Sequence, residues 1–237
     1  MSTSVVGTVV QLWQYPVKSM LGRPVEAAEL DAQGVLGDRR YAVRDADGKI
    51  GSGKNSRRFR RMDGLLDIAA AYGPDGVPVL TLPGGVPVRA DDPRVDAELR
   101  DYLGLAVITL VRTEAEPFVD ASPLHLVSRQ SIAWLAGQVS VTVDARRFRP
   151  NLVIDAPGAP FAEDAWIGRV VRVGPEVRIR ITEATLRCVM TNACQPGLEH
   201  SGTVLKTIAD HHDLTLGVQA EVISGGTLVP GAALTLE

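Results

Sequence analysis

In the stretch Arg178-Ile-Arg-Ile-Thr-Glu-Ala-Thr-Leu-Arg-Cys-Val-Met-Thr-Asn192, apolar and polar side chains alternate, with one break at Thr182-Glu183, as far as Arg187-Cys188. A period of two residues predicts a half-buried β-strand. We expect this strand to present a thiol beside a guanidinium at its end. A neighbouring Arg favours the thiolate, which is the form that attacks electrophiles and binds soft metals. The alternative is a buried cysteine that packs as a small apolar side chain.

Short strand patterns, separated by Gly and Pro, lie on both sides of this stretch. Many short strands with few helices favour a barrel or a sandwich with small helices attached. A hairpin is predicted over Arg40–Ile50, with its turn at Asp47-Gly48. The other predicted strands are Val5–Trp13, Val25–Leu30, Leu66–Tyr72, Val79–Leu82, Val107–Val111, Asn151–Asp155, Val170–Val173, Arg178–Thr182 and Gly217–Ser224.

Helical spacing occurs in three places. Pro93–Leu103 is followed by Gly104, a residue typical of helix C-caps. Ser128 is a predicted N-cap for a helix that runs to Leu135. Lys206–His211 is a candidate short helix, and residues 112–120 are the best candidate boundary between two parts of the chain.

The composition is that of an ordinary globular protein and narrows the functional classes. The 237 residues carry a net charge of -3, which gives no general attraction to nucleic acid or anionic lipid. No signal peptide and no apolar stretch of about 20 residues is visible. We therefore expect a cytoplasmic protein without membrane or nucleic-acid partners, and the two cysteines fit a reducing compartment.

Positive and hydrogen-bonding side chains follow several predicted strands. Lys18 and Ser19 come just after the first strand, and Gly37-Asp-Arg-Arg-Tyr41 offers one carboxylate and two guanidinium groups. Arg146-Arg-Phe-Arg-Pro-Asn151 places three arginines before an apolar strand. These groups suit phosphate recognition. Solvated turns and surface ion pairs are the alternatives.

Three other patterns are weaker evidence for a functional site. Gly48-Lys-Ile-Gly-Ser-Gly-Lys-Asn55 has nearly the spacing of a phosphate-binding loop, but Asn55 replaces the magnesium-binding Ser or Thr. The arginines of residues 57–61 are more typical of a solvated face than of a nucleic-acid site, because Phe59 is the only aromatic among them. The four histidines and two cysteines do not have the spacing of a zinc site.

Together these motifs resemble the MOSC family, the molybdenum-cofactor sulfurase C-terminal domain proteins, which include amidoxime-reducing components. Tyr15-Pro-Val-Lys-Ser19 and residues 37–41 are similar to the N-terminal MOSC-associated domain. The resemblance implies an α+β, mainly β fold, with a MOSC-type β-barrel in residues 116–237 and an N-terminal α/β portion in residues 1–115. The motifs similar to the MOSC domain proper are Asp120-Ala-Ser-Pro123, Arg147–Asn151, Phe161–Gly168, Arg187-Cys188 and Leu216–Gly231.

The resemblance also implies a site. Cys188 would ligate the molybdenum of a molybdenum cofactor (Mo-molybdopterin), a role that agrees with the softness of thiolate sulfur. Cys188, Thr191 and Asn192 are the candidate catalytic residues, and Thr191 and Asn192 would orient the substrate or a metal-bound oxygen. Whether pyridoxal phosphate binds is left open. The implied cofactor-binding residues are Lys18, Ser19, Arg39, Ser122, Arg149, Asn151 and Arg187.

The chain departs from the amidoxime-reducing pattern after Arg-Cys. Thr191-Asn-Ala-Cys-Gln195 stands where the relatives usually continue Thr-Thr-Val-Asp-Pro, so Cys194 occupies the position of an expected Asp. The favoured function is a molybdenum-dependent oxidoreductase that reduces N-oxygenated or related small molecules. No iron–sulfur domain follows the barrel, so we expect electrons from a separate ferredoxin, flavin reductase or cytochrome. The alternatives are a non-catalytic cofactor carrier, a sulfur-transfer module that uses Cys188 as a persulfide, or a degenerate barrel that serves as an interaction protein.

Overall fold

Strands dominate the computed structural model of the protein, which describes residues 4–237. The described residues form eighteen strands and three α-helices. The helices are α1 Val95–Leu103, α2 Arg129–Gln138 and α3 Gly202–His212. The strands are β1 Ser4–Gln14, β2 Arg23–Val25, β3 Ala28–Asp31, β4 Gly34–Val35, β5 Tyr41–Asp45, β6 Ile50–Ser52, β7 Phe59–Arg61, β8 Ala69–Tyr72, β9 Pro78–Thr81, β10 Val88–Arg89, β11 Ile108–Arg112, β12 Leu124–Ser128, β13 Leu152–Asp155, β14 Val170–Val173, β15 Val177–Leu186, β16 Thr215–Ser224, β17 Gly226–Leu228 and β18 Ala233–Leu236.

A closed barrel confirms the predicted mainly β fold class. Seven of the described strands follow one another in the order β1-β13-β12-β16-β15-β14-β18, and β18 returns to β1. The neighbours are antiparallel except for the parallel pair of β12 and β13. Closure gives each of these seven strands a neighbour on both sides, and the short β2 pairs in addition with β1.

The alternation of residues in β15 decides which side chains fill the barrel. Val177, Ile179 and Ile181 are fully buried, whereas Arg178 and Arg180 between them point outward and are exposed. Inward and outward positions alternate because the side-chain period of a strand is two. β15 runs four residues beyond the predicted end at Thr182 and pairs with β16 through three register shifts. Such bulges bend a strand and change where its end points.

The described residues form two compact units that are not consecutive in sequence. Unit 1 contains the barrel and comprises the described residues up to Trp13, Pro24–Leu36 and Asp120–Glu237. Unit 2 comprises Gln14–Arg23 and Gly37–Val119. The N-terminal strand belongs to unit 1 because it pairs with β13 and β18. The division at residues 1–115 and 116–237 stays a prediction about the modules of the family.

Unit 2 has its own apolar core between two small sheets and one helix. The sheets have the strand orders β11-β5-β6-β7 and β10-β9-β8. Met20, Val43, Ile68, Leu80 and Leu99 are buried in this core. α1 begins at Val95 and ends at Gly104, whose φ of 64° is the left-handed C-cap that the sequence predicts.

Most local predictions are confirmed, and two need correction. Ser128 caps α2 by accepting a 3.1 Å hydrogen bond from the Ser131 amide, although the helix extends to Gln138. The predicted strand Val25–Leu30 is wrong as a single element, because β2 ends before β3 begins. The predicted strand Leu66–Tyr72 begins with a 3-10 turn, Leu65–Asp67, and only its second half is β8.

Membrane helices are not part of the described fold. Between Ser4 and Glu237, no helix has both the length and the apolar character that a membrane crossing requires.

Candidate functional site

Cys188 lies directly beyond the barrel strand that the sequence predicts to carry it. β15 ends at Leu186, and Cys188 begins a short 3-10 turn, Val189–Asn192. The amide and the hydroxyl of Thr191 each donate a 3.0 Å hydrogen bond to the Cys188 carbonyl oxygen. The half-buried thiol is therefore carried by a backbone that is fixed on both sides.

Arg187 is a buried cation whose partners are neutral. Its guanidinium donates to the Leu216 carbonyl, to the Phe148 carbonyl at 3.1 Å and to the ring nitrogen Nε2 of His125. No carboxylate pairs with it in the part of the chain that the structure describes. Burial lowers the pKa of Arg187 to about 9, and negative charge on Cys188 opposes this shift. The site thus contains a fixed positive charge beside the candidate ligand.

His125 belongs to this site, although sequence reasoning gave it no role. A guanidinium only donates, so Nε2 of His125 must accept the hydrogen bond from Arg187. Gly217 lies in the left-handed region at φ 76°, and a Cβ there would stand 2.9 Å from His125 Nε2. Glycine at this position lets β16 approach β12 and the His125 ring.

Asn151 carries an unused buried donor. Its amide oxygen accepts a 3.3 Å hydrogen bond from the His125 amide, and its own backbone amide donates to the His125 carbonyl at 2.8 Å. The side-chain nitrogen Nδ2 is buried and has no partner among the described residues. An unsatisfied buried donor is costly, so its presence points to a ligand.

Arg147 is a second buried arginine, and the sequence grouped it with Arg146 and Arg149 as a candidate for phosphate recognition. It is 2% exposed. Its guanidinium donates to the carbonyl oxygens of Thr142 at 3.0 Å, Thr191 and Ala193 at 3.3 Å, and Glu199 at 2.7 Å. Burial also lowers its pKa. Arg147 therefore holds the segment that follows Cys188.

Thr191 and Asn192, which were predicted with Cys188 to be catalytic, make local contacts. The Thr191 side chain is 2% exposed and bonds to the Cys188 carbonyl. Asn192 accepts a 2.9 Å hydrogen bond from the Leu205 amide through its side-chain oxygen. These contacts support positioning roles, and direct contact with a substrate stays a prediction. The partly buried Ser122 donates its amide to Gln219 at 3.0 Å.

Cys194 is exposed and lines a shallow depression of about 380 Å³. Within residues 4–237, no group of three or more His, Cys, Asp and Glu side chains has an arrangement that could hold a metal ion. The residues that line the depression with Cys194 are Thr142, Gln195, Gly197, Leu198 and Glu199.

Unit 2 carries the predicted cofactor residues Lys18, Ser19 and Arg39. The segments that carry them are paired, because the Lys18 amide donates to Tyr41 and the Arg39 amide to Tyr15. Lys18 is 7% exposed, and its Nζ donates to the Phe118 carbonyl at 3.0 Å. The guanidinium of Arg39 pairs with the buried Asp38 and lies 4.8 Å from the centroid of the Tyr15 ring. Ser19 donates its hydroxyl to the Gly51 carbonyl at 3.1 Å.

Left-handed backbone conformations mark three of the predicted cofactor residues. Ser19, Arg39 and Arg149 have φ values of 64°, 50° and 53°. Non-glycine residues rarely adopt this conformation, and such strain concentrates at functional sites. In the described chain, only three further non-glycine residues have positive φ, namely Phe161, Asp213 and Leu214. The strained backbone of Ser19, Arg39 and Arg149 therefore occurs at residues whose side chains also suit the binding of a cofactor.

Comparison with known proteins adds family information to this geometry. The MOSC domain profile matches residues 114–235, and the profile of the MOSC N-terminal beta barrel domain matches residues 6–101. The YUAD protein from Bacillus subtilis has a similar solved structure, with a TM-score of 0.50 at 12% identity over 99% of this chain and 97% of its own. That likeness concerns the fold alone.

Curated relatives include enzymes named for amidoxime reduction. The chain is 29% identical over 226 residues to mitochondrial amidoxime-reducing component 1 of Mus musculus, a match that covers 78% of this chain and 65% of the mouse protein. The Homo sapiens protein of the same name gives 29% identity, with 78% and 66% covered. A molybdenum cofactor sulfurase of Oryza sativa is 26% identical over 81% of this chain and 28% of its own length. The chain thus spans just under two thirds of its amidoxime-reducing relatives.

Proposed function

The chain belongs to the MOSC family, and we propose that it is a molybdenum-cofactor-dependent oxidoreductase that reduces N-oxygenated or related small molecules. In this proposal Cys188 is the protein ligand of molybdenum. The observation that carries it is the position of the Cys188 thiol beside the buried Arg187 cation, which has no carboxylate partner in the described chain. The amidoxime-reducing names of the relatives support the reaction class.

The residues present fit a molybdenum cofactor. A thiolate is a suitable soft ligand for the metal. The unpartnered Nδ2 of Asn151 supplies a buried donor, and the strained Arg149 lies two residues before it. Phosphate and pterin groups accept hydrogen bonds, so donors and cations are the expected complement. When bound, the cofactor would supply two-electron chemistry that removes an oxygen atom from the substrate.

The chain's own residues would bind the cofactor, hold the turn that carries Cys188 and orient the substrate. Arg187 would keep a positive charge next to the residue that ligates the metal. Thr191 and Arg147 would keep the turn that follows Cys188 in place. Asn192 stays a candidate for orienting the substrate. The remaining proposed cofactor contacts are Lys18, Ser19, Arg39, Ser122, Arg149 and Asn151.

A cofactor carrier or a sulfur-transfer module is the second candidate function. Cys194 stands at the position where amidoxime-reducing relatives are expected to have a carboxylate, and its thiol is exposed. A relative named molybdenum cofactor sulfurase also favours this alternative. Delivery of cofactor to an acceptor enzyme, without reductase activity of its own, would support it.

Metal and pterin content tests the proposal directly. We would produce the chain in a host that makes the cofactor and measure molybdenum by elemental mass spectrometry and pterin by fluorescence. Near-stoichiometric molybdenum is expected in the wild type, with loss of molybdenum in Cys188→Ser and loss of turnover of N-hydroxylated substrates. Equal molybdenum content in the two proteins would contradict ligation by Cys188.

Asn151→Asp provides a second test with a matched control. The change replaces an amide donor by an anion, so retained pterin should fall about tenfold. Asn192→Asp is the control, because Asn192 uses its oxygen as an acceptor and a carboxylate keeps that hydrogen bond. Equal pterin retention in both variants would remove Asn151 from the cofactor site.

A further inference from the structure

Residues 54–61 of unit 2 form a concentrated positive segment, here called the basic loop. The sequence Lys54-Asn-Ser-Arg-Arg-Phe-Arg-Arg61 contains five cations and no acid, although the whole chain has a net charge of -3. Arg57, Arg58, Arg60 and Arg61 are exposed. A concentration of one sign of charge on a surface attracts and orients partners of opposite sign.

Four other exposed arginines of unit 2 pair with carboxylates, whereas Arg23 and Arg44 do not pair with one among the described residues. Arg89, Arg94, Arg100 and Arg112 each have an acidic partner within 3.3 Å. In the basic loop Arg61 pairs with Asp63 at 2.8 Å. Arg57 and Arg60 pair with no carboxylate among the residues that the structure describes. Their charge is therefore available to a partner molecule.

Internal hydrogen bonds hold the basic loop in one conformation. Ser56 accepts hydrogen bonds from the amides of Arg58 at 3.2 Å and Phe59 at 3.1 Å. Asn55 accepts one from the Arg61 amide at 2.8 Å. The end of the loop is strand β7, which pairs in parallel with β6. An ordered surface loses little conformational entropy when a partner binds.

Phe59 connects the basic loop to a candidate cofactor residue. Its ring is 7% exposed and lies 5.0 Å from the Lys18 Nζ, 5.1 Å from the Lys54 Nζ and 5.3 Å from the Arg58 guanidinium carbon. One buried ring therefore has three cations around it. Because Phe59 is buried, it offers no exposed face for stacking nucleic-acid bases. These observations favour an acidic protein over a single-stranded nucleic acid.

We propose that the basic loop docks a small acidic electron-carrier protein of the ferredoxin type, which supplies the reductase with electrons. This inference rests on the proposed function. Two reduced one-electron carriers give two electrons, and water gives two protons; the N–O bond of an N-hydroxylated substrate breaks, and the oxygen leaves as water. Electron-transfer complexes are small and transient, and electrostatic steering suits them.

The test compares two double variants that remove the same charge. Arg57→Gln/Arg60→Gln changes the unpaired arginines of the basic loop, and Arg94→Gln/Arg100→Gln changes paired arginines at and in α1. The probe is an acidic [2Fe–2S] ferredoxin. Its binding to each protein is measured by calorimetry at low and at high salt, and substrate reduction is measured with ferredoxin and with reduced viologen as donors.

We expect the loop variant to bind ferredoxin about tenfold more weakly than the wild type at low salt, with a weaker salt dependence. In the loop variant, the rate of substrate reduction with ferredoxin, divided by the rate with reduced viologen, should also fall about tenfold. The control variant should behave as the wild type. Equal binding in both variants, or no ferredoxin binding to the wild type, would overturn the docking proposal.

Two further outcomes separate the possible failures. Loss of molybdenum from the loop variant, or tighter binding of a single-stranded oligonucleotide than of ferredoxin, would also overturn the proposal. Absence of viologen-driven activity in a molybdenum-loaded wild type would overturn the proposed reductase function instead. Calorimetry still decides the docking proposal in that case, because it does not depend on turnover.

Discussion

The buried guanidinium of Arg147 donates a 2.7 Å hydrogen bond to the carbonyl oxygen of Glu199. The same group reaches the carbonyls of Thr191 and Ala193, so a single side chain fastens the segment after Cys188 at three points. Adjacent Arg146 is partly exposed, pairs with Asp144 at 3.0 Å and donates a single hydrogen bond to this segment, to the Pro196 carbonyl at 3.0 Å. The two neighbours allow a matched comparison of buried and exposed arginine.

Arg147→Met should destabilise the protein by about 3 kcal/mol, since it leaves several carbonyl oxygens without a donor in a buried place. Arg146→Met should cost less than about 1 kcal/mol, as is usual for exposed ion pairs. Urea denaturation monitored by circular dichroism measures both values. Equal losses in the two variants would show that Arg147 does not brace the segment.

Gly217→Ala should also be strongly destabilising. The new Cβ would lie 2.4 Å from the Leu126 carbonyl oxygen, and the left-handed φ of 76° disfavours alanine. The expected loss is about 3 kcal/mol in the free energy of unfolding. Gly137→Ala in α2 is the control, because a Cβ added at Gly137 would meet no other atom within 4 Å. At Gly137, alanine should leave the stability unchanged or raise it by up to about 1 kcal/mol. An unchanged stability of Gly217→Ala would contradict the close approach of residue 217 to the Leu126 carbonyl.

The hydroxyl of Tyr72 should lose its proton at a higher pH than that of an exposed tyrosine. Burial, followed by the nearby Tyr41 and Asp38, raises the pKa of its hydroxyl to about 12, and this hydroxyl donates a 2.8 Å hydrogen bond to the Gly37 carbonyl. The folded state therefore holds the proton more tightly than the unfolded state. The resulting stabilisation is complete below the ordinary value of 10.0 and is lost as pH rises through about 12.

An absorbance titration after rapid pH jumps measures this shift before the protein unfolds. The wild type should show a late ionisation step near pH 12 that Tyr72→Phe lacks. The variant should also lose about 1 kcal/mol of stability below pH 9 through the missing hydrogen bond. A wild type whose tyrosines have all ionised by pH 11 would refute the assignment.

Local signals in the sequence were sufficient to predict several helix ends and one hairpin. Gly104 ends α1 and Ser128 begins α2 because a left-handed C-cap and a side-chain N-cap depend only on neighbouring residues. The hairpin between β5 and β6 follows from Asp47-Gly48 for the same reason, since Gly48 supplies a φ of 77°. A strand-like run leading to Arg187-Cys188 was visible in the sequence, although the strand predicted over Arg178–Thr182 ends four residues before β15 does.

Long-range features had no local signal. Nothing near Val9 indicates that it faces Ile154 in the closed barrel. The partners of Arg147 and Arg187 are backbone carbonyls from distant segments, and any residue type provides such a carbonyl. The role of His125 was equally hard to predict, because it depends on how β16, which pairs with β15 through register shifts, lies against the His125 ring. The family resemblance supplied the site residues, whereas their contacts required the structure.

The closure of the barrel by β1 has a consequence for the order of events during synthesis. β1 is made before the other described strands, but its neighbours β13 and β18 come from the second half of the chain. Gly37–Val119 of unit 2 is complete before either neighbour exists. Until then the short β2 is the one sheet neighbour available to the nascent β1 among the described strands, and the ring closes only when Ala233–Leu236 has left the ribosome.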